Sequence, residues 1–99
     1  MLDLSRLERR ILAILEEAGE LDLVAMINSV AIPRGRPEEI RAMQVALCRL
    51  LDLGLISLTY WLAPLPKKFH LTSDDARMLL KELARIVVWS PQEGFWQIV

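Results

Sequence analysis

Ala46-Leu47-Cys48-Arg49-Leu50-Leu51-Asp52-Leu53-Gly54-Leu55-Ile56 is the stretch on which the fold turns. Leu47, Leu50 and Leu51 continue the spacing of Ile40 and Met43 upstream, which marks the buried stripe of a helix. Gly54 supplies the positive φ that stops this helix, and Leu55-Ile56 brings the chain back to the core as the start of an extended segment. Pro37 suits a first helical turn and Glu38 and Glu39 favour its positive end, so the helix is expected over 37–53. At about 100° per residue, the face opposite the stripe carries Arg41, Val45, Arg49 and Asp52. Glu38 stands at the start of that face, and Gln44 and Cys48 lie on one flank.

Working outward toward the N-terminus, Pro33-Arg34-Gly35-Arg36-Pro37 must be a loop, since two prolines and a glycine so close together cannot propagate a helix. Before it, Leu21, Leu23, Val24, Met26, Ile27 and Val30 give a short helix that ends where Ile32-Pro33 forces extended backbone. Leu4, Leu7, Ile11, Ile14, Leu15 and Ala18 give a first amphipathic helix, stopped by Gly19.

Toward the C-terminus, Leu55 to Leu62 is rich in aliphatic, β-branched and aromatic residues and is expected to be a strand. Residues 63–68 form a connection with two prolines and two lysines, and Phe69-His70-Leu71 returns as a second short strand, giving a ribbon with a cationic tip. Thr72 with Asp75 fits a capping pattern, and Ala76, Leu79, Leu80, Leu83, Ile86 and Val87 predict a fourth helix running to Ser90-Pro91. The aromatic tail 92–99 is too apolar for a free end and is expected to dock. The expected architecture is α+β: mainly α with a small β-hairpin, in the order α1-α2-α3-β-β-α4, as a single domain over 1–99.

The chain is 54% hydrophobic, more than a core of 99 residues easily covers, which points to a subunit interface. Three tryptophans in so short a chain point the same way, and Val88, Trp89, Phe95, Trp96 and Ile98 within the segment 73–99 are the expected homodimer contact. The net charge of −1 gives no overall attraction to polyanions, but its distribution is uneven. Residues 1–33 carry −3, residues 34–71 carry +3 and residues 72–99 carry −1, so any nucleic-acid contact belongs to the centre of the chain. A single cysteine, the lack of a basic and apolar leader, and no apolar run near the length of a membrane span suggest a cytoplasmic protein.

The string from Ala46 to Ile56, similar to an LxxLxxxGLI helix end, and Phe69-His70-Leu71-Thr72, similar to a Y-x-LT exit, resemble the winged helix-turn-helix superfamily, closest to regulators of the MarR and PadR kind. The resemblance spans about residues 4–88. It implies that the helix over 37–53 enters the major groove of double-stranded DNA, while the 63–70 wing and the preceding turn contact phosphates. Carried over by position, Arg41, Gln44, Val45 and Arg49 would face bases or nearby phosphates, with Arg34 and Arg36 in the turn and Lys67 and Lys68 on the wing. A transcription regulator is the function implied.

The alternative is a winged-helix module that binds another protein without DNA, which Glu38, Glu39, Val45 and the apolar surplus favour. The arginines also have an ordinary account as solvated residues in helical pairs, Glu38 with Arg41 and Arg49 with Asp52. His70 has no metal or catalytic partner in the sequence, and Cys48 is expected to be a half-buried core-edge residue rather than a reactive thiol near Arg49. No nucleophile-base pair, carboxylate pair, phosphate loop or metal-spaced cluster is present, so neither an enzyme nor a cofactor site is expected.

Overall fold

In the computed structural model, residues 3–61 and 68–98 are described, and among these the chain forms five helices and two antiparallel strand pairs. The first helix, α1 (Arg6–Ala18), begins at a capping box: the Glu8 amide donates to the Ser5 hydroxyl and the Ser5 amide donates back to the Glu8 carboxylate. Next, α2 (Leu23–Ser29) starts at Asp22, whose carboxylate accepts from the Ala25 amide. The central helix α3 (Pro37–Asp52) ends as its glycine foretold. Gly54 has φ 72°, its amide donates to Leu51 O, and the Leu55 amide donates to Leu50 O, so the last carbonyls of the helix are satisfied.

The strand expected from Leu55 forms only at β1 (Thr59–Trp61), because the Leu55 amide is still engaged in ending α3. Ile56 and Leu58 pack against the core along the way. β1 pairs with β2 (Lys68–His70) in the register Thr59 with His70, Tyr60 with Phe69 and Trp61 with Lys68, and the Tyr60 and Phe69 rings stack at 5.3 Å. The connection of this ribbon, including Lys67, lies outside the described residues.

The largest departure from expectation is in the C-terminal third. The single helix expected up to Ser90 is replaced by α4 (Ser73–Lys81), the one-turn α5 (Leu83–Ile86) and a hairpin of β3 (Val87–Ser90) and β4 (Phe95–Ile98). Two physical causes act together. The Gln44 side-chain amide donates to Leu80 O and Lys81 O at 2.9 and 3.1 Å, taking carbonyls that end α4. Beyond that point Ile86-Val87-Val88-Trp89 suits a strand better than a helix, and Pro91-Gln92-Glu93-Gly94 turns the chain with Gly94 at φ 75°. The apolar residues Leu80, Leu83 and Val87 all reach the core, so the helical spacing persists although the backbone changes.

The core is centred on Ile11 of α1, Met26 and Ile27 of α2, Ile40, Met43, Leu47 and Leu50 of α3, Leu80, Leu83 and Trp96. Trp96 therefore belongs to the interior of its own chain. The Asn28 side chain holds it there, accepting from the Trp96 amide at 2.9 Å and donating to Trp96 O at 3.0 Å, as a neighbouring strand would. Trp89 meets Trp96 edge to face at 5.5 Å.

Trp89 also lies over Gly35, where a Cβ would fall 2.5 Å from its ring, and Gly35 has φ 77°. Gly54 has a similar φ, but a Cβ there would meet nothing within 4 Å. Gly54→Ala is therefore expected to cost about 1 kcal/mol for left-handed backbone alone. Gly35→Ala should lower the urea midpoint further, because the tryptophan must also move. Equal losses in the two variants would show that Trp89 is not seated on the turn.

Candidate nucleic-acid interface

The turn between α2 and α3 is built around one carboxylate. Glu39 Oε1 accepts from the Arg34 amide at 2.8 Å and the Arg36 amide at 3.1 Å, and Oε2 accepts from the Trp96 indole at 3.0 Å. Burial works to raise the Glu39 carboxyl, but the Trp96 indole, the two amides and the nearby Arg36 charge outweigh it and hold the group below the usual carboxylate range. The backbone amides of Arg34 and Arg36 are thus consumed, while both side chains are exposed. Glu39 lines the same depression as Arg34 and Arg36. Its charge faces the turn and the C-terminal hairpin.

On α3 the sequence-predicted residues separate into two groups. Arg41 and Val45 are exposed: Val45 is 70% accessible, and among the described residues Arg41 has only a 3.4 Å contact with Glu38, itself exposed. Gln44 and Arg49 are committed to the fold. Gln44 donates to the carbonyls that end α4, as described above. Arg49 does not pair with Asp52. It donates to Glu8 at 2.5 Å and to Asp3 O at 2.7 Å, and Asp52 pairs instead with Arg77.

Glu8 is buried, at 2% exposure, and carries the charge that Arg49 neutralises. The Ser5 amide pulls its carboxyl down most, burial opposes this, and the Ser5 hydroxyl and Arg49 add to the lowering. Sequence reasoning missed this residue, although Ser5 and Glu8 at S-x-x-E spacing were the visible signal.

Two adjoining depressions, one between α1 and α3 and one between the end of α2, the turn after it and α3, meet at Leu7 and Ala42. One is bordered by Arg34 and Arg36, the other by Arg41 and Arg49. The structure thus brings these four arginines onto one groove. On the β1–β2 ribbon, Lys68 pairs with Glu20, which ties the base of the ribbon to the segment between α1 and α2. His70 is exposed on β2.

Of the residues expected at a dimer contact, Trp96 is buried within its own chain and Trp89 and Phe95 are half-buried, leaving Val88 and Ile98 exposed. Burial and the Asp52 charge push the Cys48 thiol up, which disfavours thiolate chemistry there. Among the described residues, no group of three His, Cys, Asp or Glu is arranged to hold a metal, and no helix is long and apolar enough to cross a membrane. No protein-family model, curated protein or solved structure matches the chain.

Glu8 and Glu39 give the fold a definite acid response. Both carboxyls are lowered in the folded chain, so each stabilises fully above the unfolded value of about 4.3, and that stability is lost as pH falls through the folded values. The urea midpoint is expected to hold from pH 7 to about pH 5 and to drop below about pH 4. Glu39→Gln should start lower at pH 7 and fall less steeply in acid. A variant that matches the wild-type fall would remove Glu39 from this role.

Proposed function

We propose that the protein is a winged helix-turn-helix DNA-binding module of the transcription-regulator kind, with α2, the 33–37 turn and α3 as the helix-turn-helix and the β1–β2 ribbon as the wing. The element order α1-α2-α3-β1-β2-α4 supports this. The observation that carries it is electrostatic. The guanidinium groups of Arg34, Arg36 and Arg41 stay on the surface of one groove, while the nearest buried or half-buried carboxylates, Glu8 and Glu39, are spent on internal hydrogen bonds. Against the four arginines that border the groove stand Glu8, Glu39 and, beside Arg41, Glu38, so a chain of net charge −1 keeps a small positive balance there.

In this arrangement Arg34 and Arg36 contact phosphates, and Arg41 with Val45 approaches base edges. Arg49, held by Glu8, stands at the border of the same groove, and Gln44 is engaged in ending α4. A second copy would meet the exposed Val88 and Ile98 and set two α3 helices on neighbouring turns of DNA. The chemistry is binding rather than catalysis.

Fluorescence anisotropy with random-sequence duplex DNA tests this directly. Three phosphate or base contacts per chain predict that log K falls against log salt with a slope near −3 for each chain bound. Arg34→Ala and Arg36→Ala should each reduce the slope by about 1 and weaken all sequences alike, whereas Arg41→Ala should cost about 1–3 kcal/mol at selected sites and relax their discrimination. Arg49→Ala is expected to lower stability, since it leaves Glu8 buried without its counter-charge. Absence of binding at about 50 mM salt by the folded protein, or binding indifferent to salt, would refute the proposal.

A further inference from the structure

The groove that α3 forms with α1 on one side and with α2 and the following turn on the other is more than a cationic surface, because its floor is largely apolar. Leu7, Ile27, Val30, Ala42 and Met43 line it, in depressions of about 290 and 430 Å³ that share Leu7 and Ala42. At its borders stand Ile32, 84% exposed, and Val45, 70% exposed, the two most accessible large aliphatic side chains among the described residues. Phosphates are satisfied by the arginines alone and take nothing from such a floor. Water leaves Ile32 and Val45 only when apolar side chains cover them.

We propose that this groove receives an acidic amphipathic helix of a protein partner, which competes with DNA for the same arginines. From Glu39 to Arg49, α3 runs about 15 Å, the length of about three turns of a docked helix. Such a helix places apolar anchors at i, i+3 or i+4 and i+7, enough to cover Ile32, Ala42 and Val45. Its flanking carboxylates would meet Arg34, Arg36 and Arg41. The Glu39 carboxylate keeps its charge near Arg36, but its two oxygens are already occupied by the Arg34 and Arg36 amides and the Trp96 indole. Besides Glu8 and Glu39, which line the groove, Glu38 lies 3.4 Å from Arg41 and is exposed, and a partner carboxylate would displace it from that weak pair. The apolar floor carries this proposal independently of DNA binding, so each can fail alone.

The test uses the full chain and a fluorescein-labelled, hydrocarbon-stapled helical peptide of about 15 residues, with Leu at i, i+4 and i+7 and Glu on its other face. Two comparison peptides replace Leu by Ser or Glu by Lys. The acidic amphipathic peptide should bind, both comparison peptides should bind at least about tenfold more weakly, and unlabelled peptide should displace duplex DNA. Val45→Glu and Ile32→Ser alter exposed residues and should keep the fold, checked by circular dichroism. Each should weaken peptide binding about tenfold. Failure of the acidic peptide to bind, equal binding of the serine peptide, or indifference to both substitutions would overturn the proposal. Peptide binding without any DNA binding would support the groove as a helix site and refute both the DNA module and the competition.

Discussion

The hydrogen bonds of Glu39 set the position of everything that the surface presents. A loop with two prolines and a glycine has few amides of its own to organise it, and Pro33 and Pro37 donate none. One carboxylate collects the amides of Arg34 and Arg36 and reaches Trp96 of β4, fifty-seven positions away in the chain. Trp89 closes over Gly35 from the same hairpin. The C-terminal strands are therefore a brace for the turn, and the turn fixes where α3 begins and where its neighbouring arginines stand. A charge-assisted bond of this kind is stronger than a neutral one and is directional, which is what a loop without internal order requires.

Formal charge and presented charge differ in this protein for the same reason. A count along the sequence places Glu8 in the acidic first third and Glu38 and Glu39 within the basic centre. In the folded chain Glu8 is buried against the Ser5 amide and Arg49, and Glu39 faces the turn. The cost falls on residues that look available in sequence. Arg49 is drawn toward α1, Gln44 ends α4 and Lys68 is held by Glu20. The surface left over is Arg34, Arg36, Arg41 and Val45, a smaller set than periodicity suggests, and one with an apolar floor beside it.

Helices α1 to α3 were legible because their apolar stripes, Gly19, Gly54 and the proline loop are local signals, and local signals decide short elements. The C-terminal hairpin was hidden by Leu83 and Val87, which share helical spacing and also share the core, so spacing alone did not distinguish helix from strand. The deciding groups were remote. Gln44 terminates α4 from thirty-six positions away, and Asn28 holds β4 from sixty-eight. Trp96 shows the same limit: an aromatic tail in a small chain suggests a partner, yet its partner is the interior of its own fold. On α3, helical phase correctly exposed Arg41 and Val45 but did not reveal that Glu8 would take Arg49.

Amide-resolved NMR of the full chain, titrated with duplex DNA at about 50 mM salt, addresses the braced cationic turn most directly. The account predicts shift changes concentrated at Arg34, Gly35, Arg36, Arg41 and Val45, while the Trp96 indole N–H stays in place and resists exchange because Glu39 still accepts it. Perturbation confined to α4 and the outer hairpin residues, or an indole that exchanges freely before DNA is added, would contradict it.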